Sequence, residues 1–291
     1  MGQHRAVSDA TAGGAGPAIV RDVIAPATAV LDGAAHETPL RPLAIEASWL
    51  GRVGYRDAWD LQRRLAAARA DGRIADQLLL LEHPAVLTLG RHADEAHVLA
   101  SPQELARRGI EVVRVERGGE VTYHGPGQLV VYPILSLAAR GLLLRPLVRA
   151  LEAAMRDTCA AFGVAADRRD GHPGCWCDPD GPEPRKIGAL GIRVERGVTY
   201  HGIALNVAPD LGDFGLIDPC GMPGVASTSI AAEAGRAAEP PATDAVLSAA
   251  AVFAASLATH LHAPVAAIAG PPPDDPAAAR RRLERLLAAV P

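Results

Sequence analysis

Arg117-Gly118-Gly119-Glu120-Val121-Thr122-Tyr123-His124-Gly125-Pro126-Gly127-Gln128 sets four glycines, a proline, a histidine and an arginine between two strand-like runs. Val112 to Val115 precede it and Leu129 to Leu135 follow it, both rich in β-branched and aliphatic residues. The segment therefore reads as a structured connection inside a sheet. Glycines at that density let backbone approach a ligand closely. Five of its residues, Val121 to Gly125, recur in the same order as Val198-Thr199-Tyr200-His201-Gly202. The second copy again follows Arg-Gly and again leads into an apolar strand, Ile203 to Val207. Two matched turns of this kind predict two walls of one pocket.

The surrounding sequence supplies the rest of the sheet. Leu43 to Ser48 reads as a strand, and Tyr55 to Ala70 as a helix with Ala58, Leu61, Leu65 and Ala68 at spacings of three and four. Gln77 to Leu81 and Ala85 to Leu89 are short apolar strands around a His83-Pro84 break. Ser101-Pro102-Gln103-Glu104 is a helix start, with a capping serine, proline at the first helical position and glutamate three residues past the cap. A second helix runs from about Arg145 to Phe162, with Leu147, Leu151, Met155, Thr158 and Phe162 on one stripe. A Gly/Pro/Asp-rich loop at 170–184, strands at about 187–195 and 198–207, a turn-rich segment to about 227 and a helix near 244–262 follow. Strands and helices are interspersed without a regular βα repeat, and strands neighbour one another. The fold class predicted is α+β, a mixed β-sheet with flanking helices. Residues 1–40, rich in Ala, Gly, Thr and Pro without periodicity, read as a disordered extension. Residues 41–265 read as a single folded domain, and 266–291 as a Pro/Ala/Arg-rich tail.

Composition narrows the function classes. A chain of 291 residues with 49% hydrophobic content is ample for a packed core and predicts a soluble globular protein. A net charge of −4 and 3% aromatic residues argue against a surface built for nucleic acid. Arg280, Arg281 and Arg282 cluster, but beside Glu284 and flanking alanines they read as one face of an exposed terminal helix. The sequence has no apolar run long enough for a membrane helix, no secretion signal and no myristoylation signal, so cytoplasm is the expected location. Four cysteines in a chain this long are too few for a disulfide scaffold.

Each candidate group carries a plain reading beside a functional one. Cys220 lies in Asp218-Pro219-Cys220-Gly221-Met222-Pro223-Gly224, a rigid loop that leads towards a helix start; backbone N–H groups and a nearby cation there favour a thiolate nucleophile. The alternative is a buried structural thiol. Cys159 falls on the buried helical stripe and reads as core. Cys175 and Cys177 flank Trp176, with His172 upstream; a metal site is one reading and strand or loop packing the other, since zinc spacings leave more room between cysteines. Lys186 is the single lysine in a chain that otherwise uses arginine, and lysine alone of the two can lose its proton when desolvated. Chance survival of a surface lysine is its plain reading. His124 and His201, at the ends of the two repeats, are either polar residues satisfied in tight turns or pocket residues.

Four blocks, Arg117 to Gln128, Lys186-Ile187-Gly188-Ala189-Leu190-Gly191, His201-Gly202-Ile203-Ala204-Leu205-Asn206 and Pro219 to Gly224, together resemble the octanoyltransferase family of lipoate biosynthesis. They stand in the family's order at compatible spacing, within a span of about 45–262. The resemblance implies the fold of the biotin and lipoate protein ligase catalytic domain. It implies transfer of an octanoyl group from octanoyl-acyl carrier protein to a lysine of lipoyl domains, those of 2-oxoacid dehydrogenases and of the glycine cleavage H-type protein. By the same resemblance Cys220 matches the nucleophile that carries the acyl thioester, and Lys186 the lysine that lowers its pKa and serves as acid and base. Arg117, Gly118, Gly119, Glu120, Val121, Thr122, Tyr123 and His124 match one segment lining the acyl site, Ala189, Leu190 and Gly191 a second, and Gly202, Ile203 and Ala204 a third. No metal, nucleotide or organic cofactor is implied. Residues 1–40, the Cys175-Trp176-Cys177 segment with 178–184, and the tail lie outside the resemblance.

Two rival readings follow from the same residues. An ATP-dependent lipoate or biotin ligase would share the fold and need no cysteine, which the pairing of Cys220 with a lone Lys186 disfavours. A non-catalytic acyl- or carrier-binding module would keep the pocket and leave Cys220 inert.

Overall fold

Successive strand side chains point to opposite faces, so the apolar run Leu78-Leu79-Leu80-Leu81 can be satisfied only by cover on both sides of a sheet. The computed structural model, which describes residues 43–219, 224–235, 245–265 and 276–289, shows that arrangement. The expected N-terminal extension and Cys220 lie outside the described residues.

In chain order the first elements are β1 (Ile45–Arg52), α1 (Tyr55–Ala70), β2 (Asp76–Glu82), β3 (Val86–Leu89), α2 (Pro102–Arg108) and β4 (Glu111–Arg114). Then come β5 (Val121–His124), β6 (Gln128–Ile134), α3 (Leu144–Ala161), β7 (Asp167–Arg169), β8 (His172–Cys177), β9 (Arg185–Glu195) and β10 (Val198–Asn206). The last are β11 (Ala226–Ser227), α4 (Ile230–Glu233), α5 (Ala245–His260) and α6 (Pro276–Ala289). The large sheet has the order β1-β2-β6-β10-β9-β8-β7, with β11 paired to β9; the small one has the order β4-β3-β5. β1 and β2 run parallel and β2, β6, β10, β9, β8 and β7 alternate antiparallel, so the large sheet is mixed.

Leu78 and Leu80 share a core with Leu129 and Val131 of β6, Leu147, Leu151 and Met155 of α3, and Phe253 and Leu257 of α5. Leu79 and Leu81 share the opposite one with Val130, Tyr132 and Ile134, Leu61 and Leu65 of α1, and Leu283 of α6. The sheet thus lies between α3/α5 and α1/α6. The small sheet has its own core, in which Leu87, Val121 and Tyr123 meet Leu105, Leu216 and Ile217.

Several sequence expectations meet their elements closely. α1 occupies the expected range, and Ser101 caps α2 through its hydroxyl, which accepts from Glu104 N at 3.2 Å. Two expectations change. The stretch read as a loop from residue 170 instead holds the turn and second strand of a hairpin, β8 joined to β7 at Asp170-Gly171 with Gly171 at φ 79°. An Asp-Gly pair between strands is a strong two-residue hairpin signal, masked here by the glycines and prolines around it. The Ala/Arg helix of the expected tail packs against the sheet: Leu283 is buried and Arg282 Nη2 donates to Ser48 Oγ at 3.0 Å, while Arg280 and Arg281 stay exposed. No helix among the described residues is long and apolar enough to cross a membrane.

Candidate active site

The repeated pentapeptide occupies two strands rather than two turns. Its first copy is β5, paired antiparallel with β3 in the small sheet; its second opens β10, at the centre of the large sheet. Alternation along β5 turns Val121 and Tyr123 into the small core and leaves Thr122 and His124 on the other face. In β10 the alternation breaks at His201, whose backbone is left-handed at φ 55°. Its ring stacks on the preceding Tyr200 at 5.0 Å, and its backbone N–H donates to Gln62 Oε1 of α1 at 2.8 Å.

A cleft lies where the two copies face each other. One wall is Arg117, Gly119, Glu120, Val121, Thr122 and His124; the other is Ala189, Leu190 and Gly191 of β9 with His201, Gly202, Ile203 and Ala204 of β10. Residues of both copies thus line one cleft. Two residues of the expected set stand apart from it. Tyr123 points away, its hydroxyl donating to Asp213 Oδ2 at 2.7 Å. Gly118 joins the loop to β9, its N–H donating to Ile192 O at 3.3 Å. A Cβ on the facing Gly191 would sit 2.7 Å from Gly118 O, so this backbone contact requires glycine.

Buried polar groups organise the inner end of the cleft. The Arg117 guanidinium donates to Thr88 O at 2.6 Å and to Thr88 Oγ1 at 2.8 and 3.1 Å, which fixes the arm of the glycine-rich loop. His124 Nδ1 donates to Gln128 Oε1 at 2.8 Å, Gln128 Nε2 to Asn206 Oδ1 at 2.9 Å, and Asn206 Nδ2 to Thr228 O at 2.9 Å. His83 donates from Nδ1 to Val53 O and accepts at Nε2 from Tyr132 OH, both at 2.7 Å. Burial holds His83 down at about 4 and His201 at about 3, and pushes His124 well below the usual imidazole range with His83 adding to the effect. All three rings are therefore neutral near pH 7. Burial raises Tyr132 well above the usual phenol range, so it too is uncharged. The inner end is therefore lined by neutral imidazole and phenol rings beside the Arg117 guanidinium.

Lys186 lies in an adjoining cavity that shares Thr122, Ala189 and Ala204 with the cleft. Its other walls include Gln128, Asn206, Pro219 and Ser227. Lys186 is itself buried, 7% exposed, against the reading of a stray surface lysine. β11 holds this corner: Ser227 pairs in parallel with Lys186, and Thr228 N donates to Lys186 O at 2.9 Å. Pro219, the residue bonded to Cys220, and Ser227 beyond it thus both border the space occupied by the lysine.

The other cysteines are core residues. Cys159, Cys175 and Cys177 are free thiols, at most 1% exposed. The Cys159 thiol hydrogen-bonds to Cys175 and, with burial, raises the latter's pKa; burial pushes Cys177 up to about 12. Among the described residues no group of three His, Cys, Asp or Glu side chains is arranged to hold a metal ion.

Tyr55 and Tyr132 complete the cleft and were absent from the residues expected from sequence, as were Gln128 and Asn206 beside Lys186. The two tyrosines carry no local signal, because Tyr55 is simply the first residue of α1. Gln128 and Asn206 do: each closes a repeat block, four and five residues after its histidine.

Residues 54–251 match the lipoyl protein ligase A/B catalytic domain family. A protein of Acidobacterium capsulatum named octanoyltransferase is 52% identical over 192 residues, spanning 63% of this chain and 78% of that protein. A protein of the same name from Chloroflexus aurantiacus is 50% identical over 190 residues, spanning 65% of this chain and 84% of that one. Among solved structures, a lipoate-protein ligase A bound with ATP superposes with a TM-score of 0.59 at 14% identity, over 84% of this chain and 95% of that one, which shows a common fold. A mixed sheet with flanking helices, two copies of one motif facing across a cleft, and identity above half to a named relative converge: this chain belongs to the lipoyl protein ligase A/B catalytic domain family, in company with its octanoyltransferases.

Proposed function

We propose that this protein is an acyltransferase that moves an octanoyl group from acyl carrier protein to a lysine of a lipoyl domain, by way of a thioester on Cys220. The observation that carries the reading is the corner around Lys186, a buried amine in a cavity bordered by Pro219 and Ser227 that adjoins the cleft between the repeats, the two sharing Thr122, Ala189 and Ala204 as lining. The names of the relatives support the same chemistry.

The steps balance without a cofactor. The Cys220 thiolate attacks the thioester carbonyl, a new C–S bond forms, and the carrier sulfur leaves with a proton from the Lys186 ammonium. Exchange of one thioester for another is close to thermoneutral. The lysine amine of the lipoyl domain then attacks, an amide forms, the thiolate departs, and neutral Lys186 takes the amine's proton. An arginine in place of Lys186 could neutralise the thiolate but could not cycle its proton. Small residues along the cleft, Gly119, Ala189, Gly191, Gly202 and Ala204, leave room for an aliphatic chain.

Intact-mass spectrometry after mixing the protein with octanoyl-acyl carrier protein, without ATP, tests this. One added octanoyl group that is lost in Cys220→Ala is the expected result. No adduct, with product formed only from free octanoate and ATP, would replace this reading with a ligase; no product under either condition would leave a binding module.

A further inference from the structure

The Cys175-Trp176-Cys177 segment, conspicuous in sequence, belongs to β8, next to the strand that carries Lys186. Trp176 and Lys186 are direct cross-strand partners, brought into register by an irregularity between Cys175 and Trp176. Side chains so paired stand on one face of the sheet. The indole is fully buried and its Nε1 donates to His172 O at 3.0 Å, which fixes the ring. Lys186 Nζ lies over that ring, 4.9 Å from its centroid. Gly174 makes room for the lysine: a Cβ there would be 3.2 Å from Lys186 Cε and 2.3 Å from Gly188 O.

We propose that Trp176 is a positioning residue for acyl transfer, its π face holding the Lys186 amine at the wall shared with Pro219 and Ser227. The inference rests on the role given to Lys186 above. A lysine amine rides on four flexible carbons with rotatable donors, so a buried cavity alone does not fix where the proton is delivered. A desolvated indole face attracts the ammonium and restricts it to one side of the stem. The attraction follows the ring's negative quadrupole, so it weakens when electronegative substituents withdraw density while the ring's shape is nearly unchanged.

The test follows from that property. Tryptophan at position 176 is replaced site-specifically by mono-, di- and trifluorinated tryptophans, and kcat and KM are measured with octanoyl-acyl carrier protein and a lipoyl domain. The expected result is a graded fall in kcat, about tenfold or more across the series, with KM for both substrates and the melting temperature nearly constant. Trp176→Phe, which keeps an aromatic face, should retain more activity than Trp176→Leu at equal melting temperature. Constant kcat across the fluorinated series overturns the proposal, as does equal activity in the Phe and Leu variants. Lys186→Ala, assayed in parallel, separates the two readings. If it keeps full activity, the role of Lys186 itself falls; if it abolishes transfer while the fluorinated proteins are unchanged, only the role of Trp176 falls.

Discussion

Lys186 and Gly127 show how single positions carry different demands. At Lys186 the requirement is chemical. Lys186→Arg keeps the positive charge but removes the transferable proton, so octanoyl transfer should fall by on the order of 10²-fold or more, measured as turnover with a lipoyl domain. Unchanged turnover in this variant would mean that charge alone suffices. At Gly127 the requirement is steric. Its backbone is left-handed, at φ 83°, and a Cβ would lie 2.3 Å from Ala208 O. Its N–H donates to Glu82 Oε2 at 2.7 Å and its carbonyl accepts from Val207 and Ala208, so the turn ties β2, β6 and β10 together. Gly127→Ala should cost about 2–4 kcal/mol in urea unfolding. The need for glycine in this stretch was legible from sequence; the identity of the opposing carbonyl was not, because Ala208 is 81 residues away along the chain.

At the scale of elements, central strands β6 and β10 are joined across a defect. The paired register covers Ile203 to Asn206 and breaks off on the N-terminal side, before Gly202 and His201. Near the break Thr199 Oγ1 donates to Pro133 O at 2.6 Å and accepts from Leu135 N at 3.1 Å, standing in for main-chain partners. Thr199→Val preserves shape and leaves both groups buried and unpaired, so it should destabilise by about 2 kcal/mol, read as a lower denaturation midpoint at constant slope. α6 gives a second test. Leu283 is 6% exposed among α1 and sheet side chains, and Leu283→Ala should cost about 2 kcal/mol; a cost near zero would mean that α6 does not stabilise the domain. Periodicity located α1, α3 and α5 nearly to the residue, since each helix buries one stripe. It said little about β7 and β8, where short strands hold few residues per period and Gly171 and Gly174 read as loop.

For the whole molecule, three neutral buried histidines couple stability to pH. His83 and His201 have folded pKa values of about 4 and about 3, against 6.5 when unfolded, and His124 is shifted the same way by burial. Between those limits the unfolded chain binds more protons than the folded one. Stability is therefore complete above pH 6.5 and is lost as pH falls, by about 2 kcal/mol for each of His83 and His201 at pH 5, with His124 acting in the same direction. Calorimetric scans from pH 7.5 to 5 should show this fall, and His201→Gln should flatten it by one histidine's share; parallel curves would refute the assignment. By itself the sequence determined the mixed α+β class, most of the helices and strands, the family, and the residue types the chemistry needs, because periodicity, turn chemistry and short motifs are local properties. Only the tertiary structure decided that the repeats are facing strands and that Tyr55 and Tyr132 complete the cleft. It also decided that Trp176 stands under Lys186. Those outcomes depend on strand register and on pairing between segments far apart in the chain, which no local pattern encodes.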